Sequence, residues 1–348
     1  MTESTTPTGD NALLREAVPV RKIGRFERFL GPENYRIITG LLKTPASILG
    51  FTLIALFIFI ALFAPNIIPP VRVNADPYQI PRDGYSSQPR PMMSAWQRNA
   101  PPLPFWWKPI MRTDHWVHIL GTSQGQYDIF YGIIWGTRTA FKTGLIVVFA
   151  TFLIGVIVGS VSAYYGGTVD NIIMRFVDVF LTLPFIMAAL ILAAILTPRI
   201  GQSLWPAVIA LIAFGWMEYS RIIRGDILSI KERDYIMAAR VIGAKDGRIL
   251  FRHILPNAIF PTLVLASLAI GDVVLSFAAL SFLGIGTQVG YADWGQVLSF
   301  ARNWISSLTT YWYIIVWPGL TLVLFVMGWN LVGDALRDVL DPRLRGKN

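Results

Sequence analysis

The chain has 348 residues, of which 54% are hydrophobic and 15% are charged, and its formal net charge is +9 at pH 7. Because soluble domains contain about 25% charged residues, this composition excludes an ordinary soluble protein and favours a polytopic membrane protein. The basic residues flank apolar runs, which favours membrane-surface loops over nucleic-acid binding, and the lack of cysteine excludes disulfides, cysteine-ligated metals and thiol catalysis.

The first part of the chain predicts one membrane helix between two polar segments. Residues 1–45 are polar and of mixed charge, so we expect a cytoplasmic segment with no cleavable secretory signal. The apolar run 46–64 predicts a transmembrane helix that acts as a retained signal anchor. Residues 65–140 are predicted to be extracytoplasmic and carry eleven of the 22 prolines and four of the 12 tryptophans before residue 117. Such a segment either covers the outer helix ends or contacts an extracytoplasmic partner through its tryptophans.

The remaining apolar runs predict five more membrane helices, each long enough to cross about 30 Å of hydrocarbon. We place them at 141–163, 172–196, 204–223, 258–283 and 311–332. Pro184 is expected to kink the third span. The small residues Gly155 and Gly159 in the second span indicate close helix packing rather than a pore. The last five spans make a core of 141–333, followed by a tail of 334–348.

The distribution of lysine and arginine predicts the orientation. The loop between the fourth and fifth spans and the C-terminal tail are rich in both, whereas the opposite loops near 197–203 and 284–310 hold only Arg199 and Arg302. Basic loops stay on the cytoplasmic side. The sequence therefore predicts an all-α protein with six transmembrane helices and with both termini in the cytoplasm.

The segment 229–256, with the sequence SIKERDYIMAARVIGAKDGRILFRHILP, predicts two short helices beneath the membrane. Ser229 or Asp226 would cap the first helix, and Gly243 suits its left-handed end. The first helix has one face formed by Tyr235, Ala238, Ala239 and Ile242. Asp246 would cap the second helix, and Leu255 with Pro256 would end it. This pattern fits a docking element for a partner or a solvated interfacial helix.

Residues 234–261 resemble the EAA loop of permease subunits of binding-protein-dependent ABC importers, in the dipeptide, oligopeptide and nickel group. Met237 stands where the family's triplet has Glu. Further blocks resemble the same group in the same order, at 120–138, 163–184, 280–286, 293–295 and 318–346. The ending LRDVLDPRLR resembles the C-type subunit of the permease pair.

The resemblance implies the type I ABC importer permease fold and a location in the bacterial cytoplasmic (inner) membrane. The implied partners are a second, B-type permease, two ATPase subunits, an extracytoplasmic substrate-binding protein and the lipid bilayer, without nucleic acid. The chain would not be an enzyme and would bind no cofactor itself, since it lacks a glycine-rich phosphate loop, so ATP and Mg would bind to the partner ATPases. Within the coupling loop 224–257, the residues implied in ATPase coupling are Tyr235, Ala238, Ala239, Gly243, Ala244, Leu255 and Pro256.

The expected cargo is di- or oligopeptides, and the alternatives within the same architecture are nickel and short oligosaccharides. Two other classes compete with this hypothesis, namely a secondary transporter and a polytopic membrane enzyme. A secondary transporter usually shows repeated halves and several intramembrane charges, and a membrane enzyme needs a catalytic cluster near one interface. Neither pattern is present in the sequence.

Asp272 lies within the fifth predicted span, where a carboxylate is costly. It would line the transport pathway or form a structural pair with Arg302, Arg138 or a partner subunit. His115 and His118 could lie together in the outer segment, but two histidines without a third ligand do not predict a metal site.

Overall fold

A computed structural model describes residues 44–72, 74–112 and 115–340 of the chain. In chain order the helices are α1 (Pro45–Ile67), α2 (Lys108–Met111), α3 (Ile129–Tyr165), α4 (Gly167–Leu181), α5 (Phe185–Ile200), α6 (Leu204–Lys231), α7 (Asp234–Val241), α8 (Asp246–Arg248), α9 (Leu255–Phe282), α10 (Trp294–Ser299), α11 (Leu308–Tyr311) and α12 (Tyr313–Leu340). The strands β1 (Ser94–Ala95) and β2 (Val117–His118) pair antiparallel. A π-helical turn, Ile249–Ile254, joins α8 to α9, and 3-10 turns span Gln124–Gln126 and Arg302–Ser307.

The described residues contain five helical segments that are long and apolar enough to cross a membrane. They are α1, α3, α6, the stretch from α8 through α9, and α12. The pair α4 and α5 is bent by 89° and makes a sixth span if it is counted as one. The structure therefore confirms a helical protein with five to six candidate spans.

The kink predicted at Pro184 in the third span, 172–196, is confirmed, but the bend is as large as 89° and divides the span into two helices. The chain leaves α4 at Thr182 and enters α5 after Pro184, so the two halves run almost at right angles. Proline has no N–H to donate, and it also disfavours a helical conformation in the residue before it. The position of the break follows from Pro184, while its size depends on the surrounding packing.

The second span begins well before the predicted residue 141. The Asp128 carboxylate accepts a hydrogen bond from the Tyr131 N–H at 2.7 Å and caps α3 at Ile129. The resulting 37-residue helix is about 55 Å long, so it extends beyond a hydrocarbon core of about 30 Å. Both α6 and α12 likewise extend past their predicted ends, to Lys231 and Leu340.

Small residues bring α3 and α6 into close contact, as the sequence predicted. A Cβ at Gly155 would lie 2.6 Å from the Trp216 carbonyl oxygen, and one at Gly159 would collide with the backbone of Ser220. On α5, Ala189 and Ala193 are completely buried against α6. These positions are therefore part of the packed interior.

The outer segment folds over the ends of the membrane helices. The Trp116 indole donates to the Pro102 carbonyl at 2.9 Å, and the Trp107 indole donates to the Ile67 carbonyl at the end of α1, also at 2.9 Å. Trp116 is only 1% exposed. These contacts favour the covering role over tryptophan anchors for a partner, although Trp106 is exposed.

A buried charge cluster fixes this segment to α3. His118 Nδ1 lies 2.7 Å from Asp128 Oδ2, and His118 Nε2 lies 3.1 Å from Asp83 Oδ2. The Arg90 guanidinium lies 3.0 Å from the same Asp83 oxygen. Both His118 ring nitrogens are thus engaged by carboxylates. Among the described residues, no group of three or more His, Asp or Glu side chains is arranged so that it could hold a metal ion.

Candidate functional site

Helix α7 lies against the ends of three membrane helices. Its Ile236 is completely buried and its Ala239 is 8% exposed. Both belong to one apolar cluster whose other members come from α3, α6, the π turn and α9, namely Ala163, Tyr164, Ile223, Ile227, Ile249, Leu250, Ile254 and Ala258. Burial of these side chains holds α7 rigidly beneath the bundle.

The predicted single face of α7 is divided between two environments. Tyr235 and Ala238 are exposed, whereas Ala239 packs inward beside Ile236. Residues 236 and 239 are one helical turn apart, so the burial of Ile236 determines the orientation of the helix and carries Ala239 to the inner side. The prediction that Ala239 shares one face with Tyr235, Ala238 and Ile242 is therefore wrong.

The outer side of α7 presents apolar side chains that none of the described residues covers. Val241 is 87% exposed and Ile242 is 84% exposed, and together with Tyr235 and Ala238 they form what we call the coupling face. Exposed charged residues of both signs surround it, namely Arg233, Arg240, Lys245 and Arg248 together with Glu232, Asp234 and Asp246. An apolar helical face with a charged rim suits an apolar groove with polar edges on a partner.

Gly243 ends α7 as predicted. Its φ is +80°, its N–H donates to the Arg240 carbonyl at 2.9 Å, and the Ala244 N–H donates to the Ala239 carbonyl at 3.1 Å. A Cβ at Gly243 would meet nothing within 4 Å. Backbone conformation, rather than space, therefore requires glycine at this position.

The predicted limits of the two short helices are wrong. Ser229 and Asp226 lie inside α6, which continues to Lys231. Asp246 is the first residue of α8 rather than its cap. Leu255 and Pro256 do not end a helix, because the helical path continues through the π turn into α9. The wider π turn, with the Leu255 N–H donating to the Leu250 carbonyl, tolerates a proline that cannot donate.

Two residues outside the predicted set attach this region to the end of α3. The Lys231 ammonium donates to the carbonyls of Ala163 at 3.3 Å and Tyr164 at 2.6 Å. The Tyr164 hydroxyl donates to the Asp246 carboxylate at 2.5 Å. A cation at a helix C-terminus is a general stabilising pattern, and it is the signal by which Lys231 could have been found.

Asp272 is exposed on α9 and forms no ion pair with any residue that the structure describes. Arg302 instead lies over the Phe282 ring, and Arg138 lies over the Trp135 ring. The two proposed pairs within the chain are therefore not formed. Two carboxylates on α4 are paired, since Asp170 and Asp178 bind Arg224 and Arg221 on α6.

Residues 152–346 match the family described as binding-protein-dependent transport system inner membrane component. A dipeptide transport system permease protein, DppC, of Alkalihalophilus pseudofirmus is 36% identical over 232 residues, which are 67% of this chain and 73% of that protein. A glutathione transport system permease protein, GsiD, of Pectobacterium atrosepticum is 38% identical over 228 residues, or 66% of this chain and 73% of that protein. The solved inward-facing MetNI methionine ABC transporter aligns with a TM-score of 0.46 and 21% identity, covering 61% of this chain and 98% of that one.

Proposed function

Because the chain belongs to the family of inner membrane components of binding-protein-dependent transport systems, we propose that it is the C-type permease subunit of an ATP-driven importer of di- or oligopeptides. The match over residues 152–346 carries this proposal, because it includes the coupling face and every residue of the apolar cluster that holds it. The relatives named as dipeptide and glutathione permeases support peptides as the cargo class. The family assignment disfavours a secondary transporter and a membrane enzyme.

The proposed assembly contains this chain, a B-type permease, two ATPase subunits and an extracytoplasmic binding protein in the bacterial cytoplasmic membrane. This chain forms part of the channel and carries out no bond chemistry. ATP and Mg bind to the ATPases, which receive the coupling face in a surface cleft. The charged rim of that face suits groups of opposite sign around the cleft.

The contacts of α7 provide a mechanism for transmitting force. Closure of the ATPase dimer on ATP pushes on the coupling face, and the buried Ile236 and Ala239 pass the displacement to α3, α6 and α9. The links from Lys231 and Asp246 to the end of α3 prevent the segment from sliding separately. The spans then tilt as units, which switches access from one side of the membrane to the other.

We place Asp272 toward the aqueous pathway. It is exposed without an ion pair among the described residues, and a carboxylate in contact with lipid is costly. Glu218 on α6 is also exposed, and both carboxylates interact electrostatically with Tyr219. The α6–α9 side of the bundle therefore presents acidic groups that suit water or a polar cargo.

The test is reconstitution of the tagged chain with its co-purifying partners in proteoliposomes. We expect a second permease and ATPases to co-purify, and peptide uptake to require ATP and the binding protein.

The variant Ile242→Asp should reduce ATPase co-purification by about tenfold or more, because it places a carboxylate in a desolvated apolar contact. Ile110→Asp is the matched control, since Ile110 is an exposed isoleucine of the outer segment. Equal losses in both variants, or no ATPase with the parent chain, would overturn the proposal.

A further inference from the structure

A cavity of about 560 Å³ lies at the end of the bundle opposite the coupling face. Its position follows from α3, which begins beside the cavity residue Tyr127 and ends at Tyr165 beside α7, and from α9, which runs from the coupling region to the cavity residue Ser281. On the predicted orientation this is the extracytoplasmic side. The volume falls within the range of small-molecule sites, about 300–1,000 Å³.

Two arginines give the cavity its charge. Arg82 comes from the outer segment and Arg302 from the chain that follows α10, and none of the described residues that line the cavity is acidic. Neither arginine forms an ion pair with any residue in the described part of the chain. The site therefore presents two positive charges that no described residue neutralises through an ion pair.

Both guanidinium groups are held in place from one side. Arg82 Nε donates to the Gly125 carbonyl at 2.9 Å, and its guanidinium lies 4.5 Å from the Tyr85 ring centre and 4.6 Å from that of Tyr127. Arg302 Nε donates to the Ser299 carbonyl at 3.3 Å, and its guanidinium lies 5.3 Å from the Phe282 ring centre. In each case the two terminal NH₂ groups make no hydrogen bond to a described residue, so they can donate to a ligand in the fork geometry that suits a carboxylate.

The walls of the cavity are already ordered. The Gln296 amide donates to the Thr287 and Gln288 carbonyls at 3.0 and 2.7 Å and accepts from the Gly290 N–H at 2.8 Å. Tyr127 and Phe300 stack with ring centres 5.0 Å apart and provide an aromatic wall. A ligand that binds here meets a pre-formed surface, which limits the entropy lost on binding.

We propose that this cavity receives the terminal carboxylate of the transported peptide before it enters the membrane pathway, with Arg82 and Arg302 as the carboxylate-binding residues. The inference rests on the proposed peptide-import function. The aromatic wall accommodates a neighbouring side chain of the peptide, and the surrounding amides accommodate its backbone.

The experiment uses the complete importer complex in lipid nanodiscs, without its binding protein, and equilibrium dialysis with radiolabelled tri-alanine and tri-alanine amide. We expect the free acid to bind about tenfold more tightly than the amide, as charge-assisted bidentate hydrogen bonds would give. In Arg82→Gln and Arg302→Gln the ratio should fall toward one, because the group that distinguishes the two peptides is gone. Arg98→Gln, at an exposed arginine outside the cavity, should keep the parental ratio.

Equal binding of acid and amide to the parent complex would overturn the inference, and this comparison requires no variant. A carboxylate of the binding protein is the other source of the same chemistry. If the arginine variants raise the concentration of binding protein needed to stimulate ATP hydrolysis but leave the acid-to-amide ratio unchanged, the binding protein is the occupant and the inference is wrong. After either of these two outcomes, peptide import by the parent complex would still support the proposed function. Failure of the ATPases to co-purify would contradict the proposed function itself.

Discussion

Asp293 is a fully buried carboxyl group in the loop after α9. It caps α10 by accepting from the Gly295 N–H at 3.0 Å, and the Ser281 and Thr287 hydroxyls donate to its other oxygen. Burial raises the pKa of Asp293 to about 6, although the hydrogen bonds from these donors lower it. The folded protein therefore binds this proton more tightly than the unfolded chain does.

This raised pKa predicts how stability depends on pH. The contribution of Asp293 is fully present below the ordinary pKa of 3.8 and is lost as the pH rises through about 6. We expect the parent protein to lose thermal stability relative to Asp293→Asn between about pH 4 and pH 7. Tryptophan-fluorescence melting in detergent measures the difference, and a difference that does not vary with pH would contradict the prediction.

His118 predicts a second effect at the scale of one side chain. Replacing it by alanine leaves Asp83 and Asp128 without their shared partner in a buried site, and losing one partner of such a cluster costs about 3 kcal/mol. We expect His118→Ala to expose residues 65–128 to proteolysis at a temperature where the parent resists. Ser87→Ala, at an exposed position of the same segment, is the control. Equal cleavage of the two variants would show that the cluster does not hold the segment.

At the scale of the element, α7 has to be a rigid helix to transmit force. Ala238 lies within it with an exposed side chain, so a proline there removes a backbone hydrogen bond with little loss of packing. The cost to the helix is about 3 kcal/mol. We expect Ala238→Pro to hydrolyse ATP without importing peptide.

Ala238→Ser serves as the control for this element, since it keeps the helix and adds only a hydroxyl group. Uptake and ATP hydrolysis are measured in the same proteoliposomes. If Ala238→Pro assembles and transports at the parental rate, α7 does not act as a rigid coupling element.

At the scale of the whole molecule, the exposed carboxylates on the α6–α9 side face either the transport pathway or another subunit. Variants of Asp272 separate these two locations. We expect Asp272→Asn to reduce peptide uptake several-fold while ATPases and the second permease still co-purify in parental amounts, because a pathway residue meets the cargo and not the partner. Asp272→Glu retains the charge and should transport. Loss of the second permease from the purified Asp272→Asn complex would instead place Asp272 at a subunit contact.

Local signals in the sequence predicted some features of this molecule well. The apolar runs located the spans because their length depends only on membrane thickness, and Gly243 was recognisable because few other residues adopt its conformation. The kink at Pro184 was also local, but the 89° break depends on how α4 and α5 pack against α6. Ala238 is exposed and Ala239 is buried because Ile236 packs against residues of three membrane helices. No local pattern in the sequence predicts that contact.

Contacts between residues distant in sequence were not predictable for the same reason. His118 and Asp83 are 35 positions apart, and Tyr164 and Asp246 are 82 apart. Each pair forms only after the outer segment or the α7 region has folded back onto α3. The two cavity arginines likewise lie far apart in the sequence and line one cavity only in the folded chain.

The π turn at Ile249–Ile254 has a consequence for how this chain would respond to a deletion. A π turn holds one residue more than an α-helical turn, and each residue of an α-helix advances the chain by about 100° of rotation. Removing one residue from this turn would restore a regular helix and rotate everything before it by about that angle relative to α9. The coupling face would then lie about 100° further around the axis of α9, so it would meet a partner at a different position. A single-residue deletion here would therefore change the direction in which α7 projects from α9 without altering the sequence of α7.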